Sequence, residues 1–409
     1  MQRKMVWLTV VLSTLLFSLL PTAQAQEYQV SLRNSAGGYA SAQSGGGGII
    51  DSVHGDIGSW ETFSLVKWYG GDLKSDDFVS LRAQNGKFVS VINGGGGDVI
   101  VNGPATSTWE RLRVWDLSSN GIIRSGDPVQ FETYDGHHLS ADYRYSDARI
   151  RAFAPWVGSW EVFRISVAPP GYRLVNWGRG VQVYRKDFQG GWPNFVTIVN
   201  LNRGSIKSLT GSYINGRVEW LPQRVYWSNA QTLAGPNRAA IAVINGTYFN
   251  SDWWQGSLWT TLTLGLKVSG RVLSSGTAVG PHARSFCFDA TSATIRGNPQ
   301  GIYGDRSVSD AIGTYSWDLV GDRDNQYTGR TLLGIRDDNG DGVAETVLFF
   351  TSNGETKQGA LSTLDGFGSR DAVQLDGGSS TMLTVQGTEY ITSKSPRTVP
   401  HAIAIYGGR

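Results

Sequence analysis

The sequence predicts a mainly β chain in two units, a threefold barrel of short strands over residues 27–167 and an α+β unit over 172–409. Three observations carry that expectation. A period of about fifty residues runs through the first unit only, a Pro169-Pro170-Gly171 step ends it, and apolar runs of strand length follow with one short helical stretch. High glycine and tryptophan content (53 and 15 residues) with low charge (17%) suits short strands joined by tight turns.

Residues 1–25 read as an export signal. Arg3 and Lys4 form a positive start, Val6–Leu20 is apolar and uncharged, Pro21 breaks the run, and Ala23-Gln24-Ala25 is a small-x-small cleavage site. The apolar stretch is shorter than the ~20 residues of a membrane helix, which sets cleavage above the alternative of an uncleaved anchor. The expected location is therefore secreted or periplasmic, with no membrane association after cleavage. Removing the leader leaves 34 basic against 34 acidic residues and no Lys/Arg block, which argues against nucleic acid or an anionic membrane as main partner. Cys287 is the only cysteine, so no intramolecular disulfide forms and stability must come from burial.

The repeat has three landmarks. Val30-Ser31-Leu32, Val79-Ser80-Leu81 and Val129-Gln130-Phe131 open the units. Tyr39–Ala42, Phe88–Val91 and His138–Ala141 follow. Trp60-Glu61, Trp109-Glu110 and Trp160-Glu161 close them, leading to Phe63, Leu112 and Phe163. Three copies of about four strands close naturally into a β-trefoil, and the Trp-Glu-x-Phe pattern resembles the fascin-like trefoil. The recurring aromatics are expected as core and cap residues. Ligand contacts belong in the unequal loops, where Tyr143, Tyr145 and Trp156 have no equivalents. His137-His138 reads as turn and strand, since no third metal ligand accompanies it.

In the second unit, Val181–Tyr184, Val196–Val199 and Ala239–Ile244 are strand runs and Gly359–Phe367 a short helix. Four segments look chemical: Ile244–Asn250 around the Asn245-Gly246 turn, Arg330–Gly334, Gln374–Met382, and Pro396–Ala402 with Arg397 and His401. The third is the most specific. A strand delivers Asp376 at its end, Gly377 and Gly378 let the backbone turn, and Ser379, Ser380 and Thr381 add hydroxyls. Such a turn can aim N–H groups at an anion, and Arg330 and Arg397 supply charge for a phosphate oxygen. A plain hairpin turn with solvent-facing hydroxyls is the alternative.

In this order the four segments resemble the phosphodiester glycosidase family, from about Val181 to Tyr406. Members show Asn-Gly-Gly-Phe-Phe, Arg-Thr-Ala-x-Gly, Leu-Asp-Gly-Gly-Gly-Ser-Ser-Thr and Arg-Pro-Val-Pro-Asn segments. Here Thr247-Tyr248 replaces Gly-Phe, Ser379 a third Gly, and His401 the closing Asn. The resemblance implies hydrolysis of a sugar-1-phosphodiester at its C1–O bond, with a phosphorylated carbohydrate or glycan polymer as partner and no required cofactor. It implies a catalytic set of Asp376, Arg330, Arg397 and Asn245, with Gly377, Gly378, Ser379, Ser380, Thr381 and His401 binding substrate. Asp376 is the expected base or charge stabiliser, and Asp289 the next carboxylate to consider.

Asp337, Asn339, Asp341 and Glu345 hold offsets 1, 3, 5 and 9 of a Ca²⁺ loop, but Leu348 stands where an EF-hand has its bidentate Glu. Ca²⁺ is a candidate ion there, and a metal-free hairpin tip the alternative. Two rival functions remain at this stage. One is a non-catalytic extracellular carbohydrate-binding or adhesion protein. The other is a hydrolase using Ser379 or Ser380 as nucleophile, which lacks the Gly-x-Ser-x-Gly setting.

Overall fold

A computed structural model describes residues 25–408, apart from 120, 144–146, 251–256, 278–279, 298, 322 and 393–396. The proposed leader, Tyr145 and Pro396 thus lie outside the described residues. The chain is mostly β.

Residues 26–168 form one twelve-stranded sheet. Six strands pair in a closed ring: Gln26–Arg33 with Phe63–Lys67, then Asp77–Arg82, Leu112–Asp116, Pro128–Glu132 and Phe163–Ala168, which returns to Gln26–Arg33. Each repeat adds a hairpin: Tyr39–Ala42 with Ile50–His54, Phe88–Val91 with Gly97–Gly103, and His138–Ser140 with Arg151–Ala154. Alternate residues of the ring strands point inward, as period-2 patterning demands. Val30, Leu32, Phe63, Leu65, Val79, Leu81, Val129, Phe131, Phe163 and Ile165 make the core.

The Trp-Glu repeat divides its labour. Trp60 and Trp109 remain 41% and 45% exposed, covering Gly45 and Gly94 as surface caps. The glutamates go inside. Glu61, Glu110 and Glu161 are buried and accept the backbone N–H of Gly58, Ser107 and Gly158 at 2.8–2.9 Å. Each locks the turn before its closing strand by satisfying a donor that would otherwise be stranded.

The first sheet ends at Ala168, and the next strand, Arg173–Gly178, belongs to a second sheet. That eleven-stranded sheet packs on a five-stranded one through a shared core including Phe195, Ile244, Phe286, Leu333, Phe349 and Ile403. The expected helix is Lys357–Gly366, started by Thr356, whose hydroxyl accepts the Gly359 N–H. A second helix, Gln223–Ala234, buries Tyr226 and Ala230 beside the smaller sheet. Asp56 and Arg203, 3.0 Å apart, tie the ring unit to the remainder.

Candidate active site

The strand Asp371–Gln374 lies between Thr328–Arg336 and Asp310–Ser316. Leu375 makes a last sheet contact, its N–H donating to the Thr331 carbonyl at 3.0 Å. Asp376 then crosses toward the smaller sheet, its N–H donating to the Gly246 carbonyl at 3.1 Å. The carboxyl is therefore held at the seam of two sheets by backbone on both sides.

The turn after it requires its glycines. Gly378 has φ +61°, and a Cβ on Gly377 would lie 2.9 Å from the Gly329 carbonyl oxygen. Gly329 is equally constrained, since its Cβ would meet the Gly378 oxygen at 2.1 Å. Ser380 and Thr381 are buried, and of the three hydroxyl residues only Ser379 is exposed. This is not the solvent-facing hairpin allowed by the sequence.

Burial pushes the Asp376 carboxyl up to about 6, against the Ser380 hydroxyl, the Arg397 charge and the Gly377 N–H, which favour ionisation. The Gly377 N–H donates to Asp376 Oδ1 at 3.0 Å. Desolvation wins, leaving a carboxylate that is mostly ionised at neutral pH yet more basic than an exposed Asp.

Asn245 does not reach into open space. Its amide donates to the Asp376 backbone carbonyl at 2.6 Å, and its Oδ1 accepts from the Thr331 hydroxyl at 2.7 Å and the Met382 N–H at 3.1 Å. With its amide bonded at both ends and 1% exposed, it braces the Asp376 turn. His401 is likewise internal. Its Nδ1 accepts the Thr247 N–H at 3.0 Å, so its proton sits on Nε2. Burial pulls its pKa down to about 3, which keeps the imidazole neutral. Gly246 makes room for it, as a Cβ there would fall 1.9 Å from Nδ1.

The two arginines differ. Arg397 donates to the Ser379 hydroxyl, sits over the Phe249 ring at 5.3 Å, and acts electrostatically on Asp376. Arg330 is 9% exposed and donates to backbone carbonyls: Glu355 at 3.2 Å, Gln326 at 3.3 Å, Asp324 at 3.4 Å, and Arg323. Arg330 lines the cleft beside Asp376 but turns its Nε and Nη2 to its own chain, whereas Arg397 stands on the Ser379 side.

A cleft of 230 Å³ opens beside Asp376, lined by Tyr248, Arg323, Thr328, Arg330, Gly377 and Gly378 among others. Tyr248 and Arg323 were not singled out from sequence. Tyr248 meets Tyr315 edge-on at 4.9 Å, and burial, then the Asp376 charge, raises its phenol pKa. The Thr-Tyr departure from the family's Gly-Phe was the available signal for it. Arg323 had none.

The acidic loop satisfies itself. Asp337 accepts the N–H groups of Asn339, Gly340 and Gly342 at 2.6–3.2 Å and pairs with Arg370 at 3.0 Å. Asn339 and Asp341 bond to each other, and Glu345 accepts the Asp338 N–H at 3.2 Å. Among the described residues no three His, Cys, Asp or Glu side chains are grouped to hold a metal. The carboxylates of the loop thus already accept protein donors, which a Ca²⁺ ion would have to share. Asp289 also has a local role, accepting N–H bonds from Thr291 and Ser292. Its strand end pairs at Phe288↔Asp310, whereas Tyr315, at the other end of that partner strand, pairs with Gln374 beside the site.

Residues 238–406 match the model of the phosphodiester glycosidase family, so this stretch carries a domain similar to that family's. No curated protein matches the chain. Among solved structures, a hypothetical protein from Synechocystis is 12% identical, with 86% of this chain and 95% of that one covered and a TM-score of 0.38. The catalytic domain of zebrafish N-acetylglucosamine-1-phosphodiester alpha-N-acetylglucosaminidase, auto-inhibited by its pro-peptide, is 16% identical over 59% of this chain and 84% of that one, TM-score 0.38. A designed three-fold symmetric protein, ThreeFoil, is 17% identical over 34% and 96%, TM-score 0.28.

Proposed function

We propose that the protein is an exported hydrolase, secreted or periplasmic, that cleaves the C1–O bond of sugar-1-phosphodiesters, with a domain at 172–409 doing the chemistry. The observation that carries this reading is the enclosed Asp376 carboxyl, raised to about 6 beside a cleft with arginines on its walls. A phosphate monoester is a weakly basic leaving group, so strong acid assistance matters less than for a sugar alkoxide. What the reaction does need is charge stabilisation at the departing phosphate and one carboxylate on the sugar side. Arg397 and the Gly377-Gly378 turn suit the first requirement. Asp376 suits the second, drawing a proton from water or stabilising positive charge developing at C1.

The rival reading, a carbohydrate-binding or adhesion protein without activity, gives no reason to bury a carboxyl at that energetic cost. A release assay with the mature protein on a panel of sugar-1-phosphodiesters decides between them. Turnover that is lost in Asp376→Asn supports the hydrolase, and cleavage of none supports the binding protein.

The ring unit we read as the β-trefoil of residues 27–167, serving to hold the enzyme to glycan. The exposed Trp156 (72%) and Phe153 (52%) border a 600 Å³ cleft with Arg149 and Arg151 in the third repeat, the unit whose loops depart from the other two. Aromatic faces beside polar groups suit stacking on sugar rings. Loss of binding to an insoluble glycan in Trp156→Ala, at unchanged hydrolysis of soluble substrate, is the expected result.

A further inference from the structure

The catalytic cleft contains a cation whose role differs from the one its motif partner suggests. Arg330 belongs to the recognisable Arg-Thr-x-x-Gly segment, yet its donors go to the carbonyls of Arg323, Asp324, Gln326 and Glu355. Those carbonyls belong mainly to the loop between strands Asp310–Ser316 and Thr328–Arg336. The same loop is pinned from its other side. Lys357 pairs with Asp324 at 2.5 Å and donates to the Leu319 carbonyl at 2.8 Å, while the Asp324 carboxylate also accepts the Gly321 N–H.

Arg323 sits in this pinned loop, lines the cleft with Asp376 and Tyr248, and is exposed. Its neighbour Asp324 is spent on Lys357, and Arg323 has no ion pair with a described residue. The Arg323 charge also acts unfavourably on Arg330. Two guanidinium groups are therefore held near each other at one wall of a cleft. Arg330 has committed Nε and Nη2 to those carbonyls and keeps only Nη1, whereas Arg323 is exposed, and a bound anion would relieve their repulsion.

We propose that Arg323 makes the direct contact to the substrate's phosphate, and that Arg330 is a positioning residue that fixes the loop carrying it. This rests on the reading of the cleft as a phosphodiester site, and it replaces Arg330 with Arg323 as the outer phosphate ligand. Arg397, on the Ser379 side, remains the second cation. The arrangement separates two tasks that one arginine cannot perform together. A guanidinium engaged with several carbonyls has no free fork for a bidentate phosphate, whereas an exposed one on a fixed loop loses little freedom on binding.

The test uses the full mature protein with inorganic phosphate as probe, at constant ionic strength, and then the phosphodiester that the parent cleaves best. In the parent, phosphate should raise the melting midpoint. Arg323→Gln should keep the phosphate-free midpoint but lose that rise, and should raise KM about ten- to a hundredfold, the size of a lost charge-assisted bond. Arg330→Lys should lower the phosphate-free midpoint, since an ammonium cannot span the same carbonyls. Phosphate response in Arg323→Gln equal to the parent's overturns the proposal. So does an Arg330→Lys variant that keeps its midpoint and loses phosphate binding, or a parent that shows no phosphate response. If the parent binds phosphate through Arg323 but hydrolyses no phosphodiester, the hydrolase reading fails while the anion subsite stands.

Discussion

Asn245 donates its amide proton to the backbone carbonyl of Asp376 at 2.6 Å, joining the last residue of one sheet's strand to the residue that leaves the other. The position of the carboxyl is thus set by a side chain more than a hundred residues upstream. Since Asn245 also accepts from Thr331 and Met382, it couples three segments that the sequence shows only as separate motifs.

Asn245→Ala should therefore act through position and stability together. It strands a buried hydroxyl, an N–H and a carbonyl, at roughly 1–3 kcal/mol for each group left unpaired. A fall in kcat with a clearly lower melting midpoint is expected. Asn245→Asp keeps the acceptors but loses the donor to Asp376, so it should retain the Thr331 and Met382 contacts and still lose kcat. A parent-like midpoint and rate in the alanine variant would remove the bracing role.

For the acidic loop, melting midpoints with excess Ca²⁺ and with chelator should be equal, because Asp337 is already saturated by three N–H groups and Arg370. Asp337→Ala should lower stability by about 1–3 kcal/mol in both conditions. A midpoint that rises with Ca²⁺ in the parent alone would restore the metal site.

The legible and illegible parts of this protein divide along physical lines. The ring was readable because each inward position recurs three times, as in Val30, Val79 and Val129, and period-2 burial writes itself into sequence. The turn after Asp376 was readable because its tight backbone requires the two glycines that follow. The roles of Asn245, His401 and Arg330 were not. A motif names residue types, whereas their roles depend on where the hydrogen-bond donors end, which only tertiary contacts decide. Arg323 was invisible for the converse reason, as nothing local marks an exposed arginine that only the fold brings to the wall of the cleft. The Ca²⁺-like spacing leaves two readings open because the carboxylates of a tight loop serve N–H groups as readily as ions.

Gly329 gives a sharp test of the turn. Its missing Cβ would clash with the Gly378 carbonyl at 2.1 Å and the Thr381 hydroxyl at 2.6 Å. Backbone cannot move aside as a side chain can, so Gly329→Ala should displace the Asp376–Thr381 segment. Turnover should fall at least tenfold, and limited proteolysis should find new cleavage in residues 376–381. Gly340→Ala is the contrasting control for an exposed turn: nothing lies within 4 Å of its Cβ, and its φ of +82° alone should cost stability without touching turnover.

The last prediction concerns Asp376 and pH. Its carboxyl is raised from the ordinary aspartate value of 3.8 to about 6 by burial. Raised means that the folded state holds the proton more tightly than the unfolded chain does. The stability associated with this group is therefore fully present below about 4 and is lost as pH rises through about 6, by at most about 3 kcal/mol. Asp376→Asn removes the titration while keeping shape and the acceptor for the Gly377 N–H. Its melting midpoint should exceed the parent's at pH 7–8, and the difference should close near pH 4. Activity should move in the opposite sense. The parent's kcat/KM should rise with pH along an acid limb near 6, since the ionised form is the one that can act as base or stabiliser. Asp376→Asn should lose about 10²–10⁴-fold in kcat, with the remnant no longer showing that limb. A variant both more stable at neutral pH and nearly inactive is the signature of a charge buried for chemistry. An unaltered acid limb in Asp376→Asn would assign the titration, and with it the catalytic role, to another group.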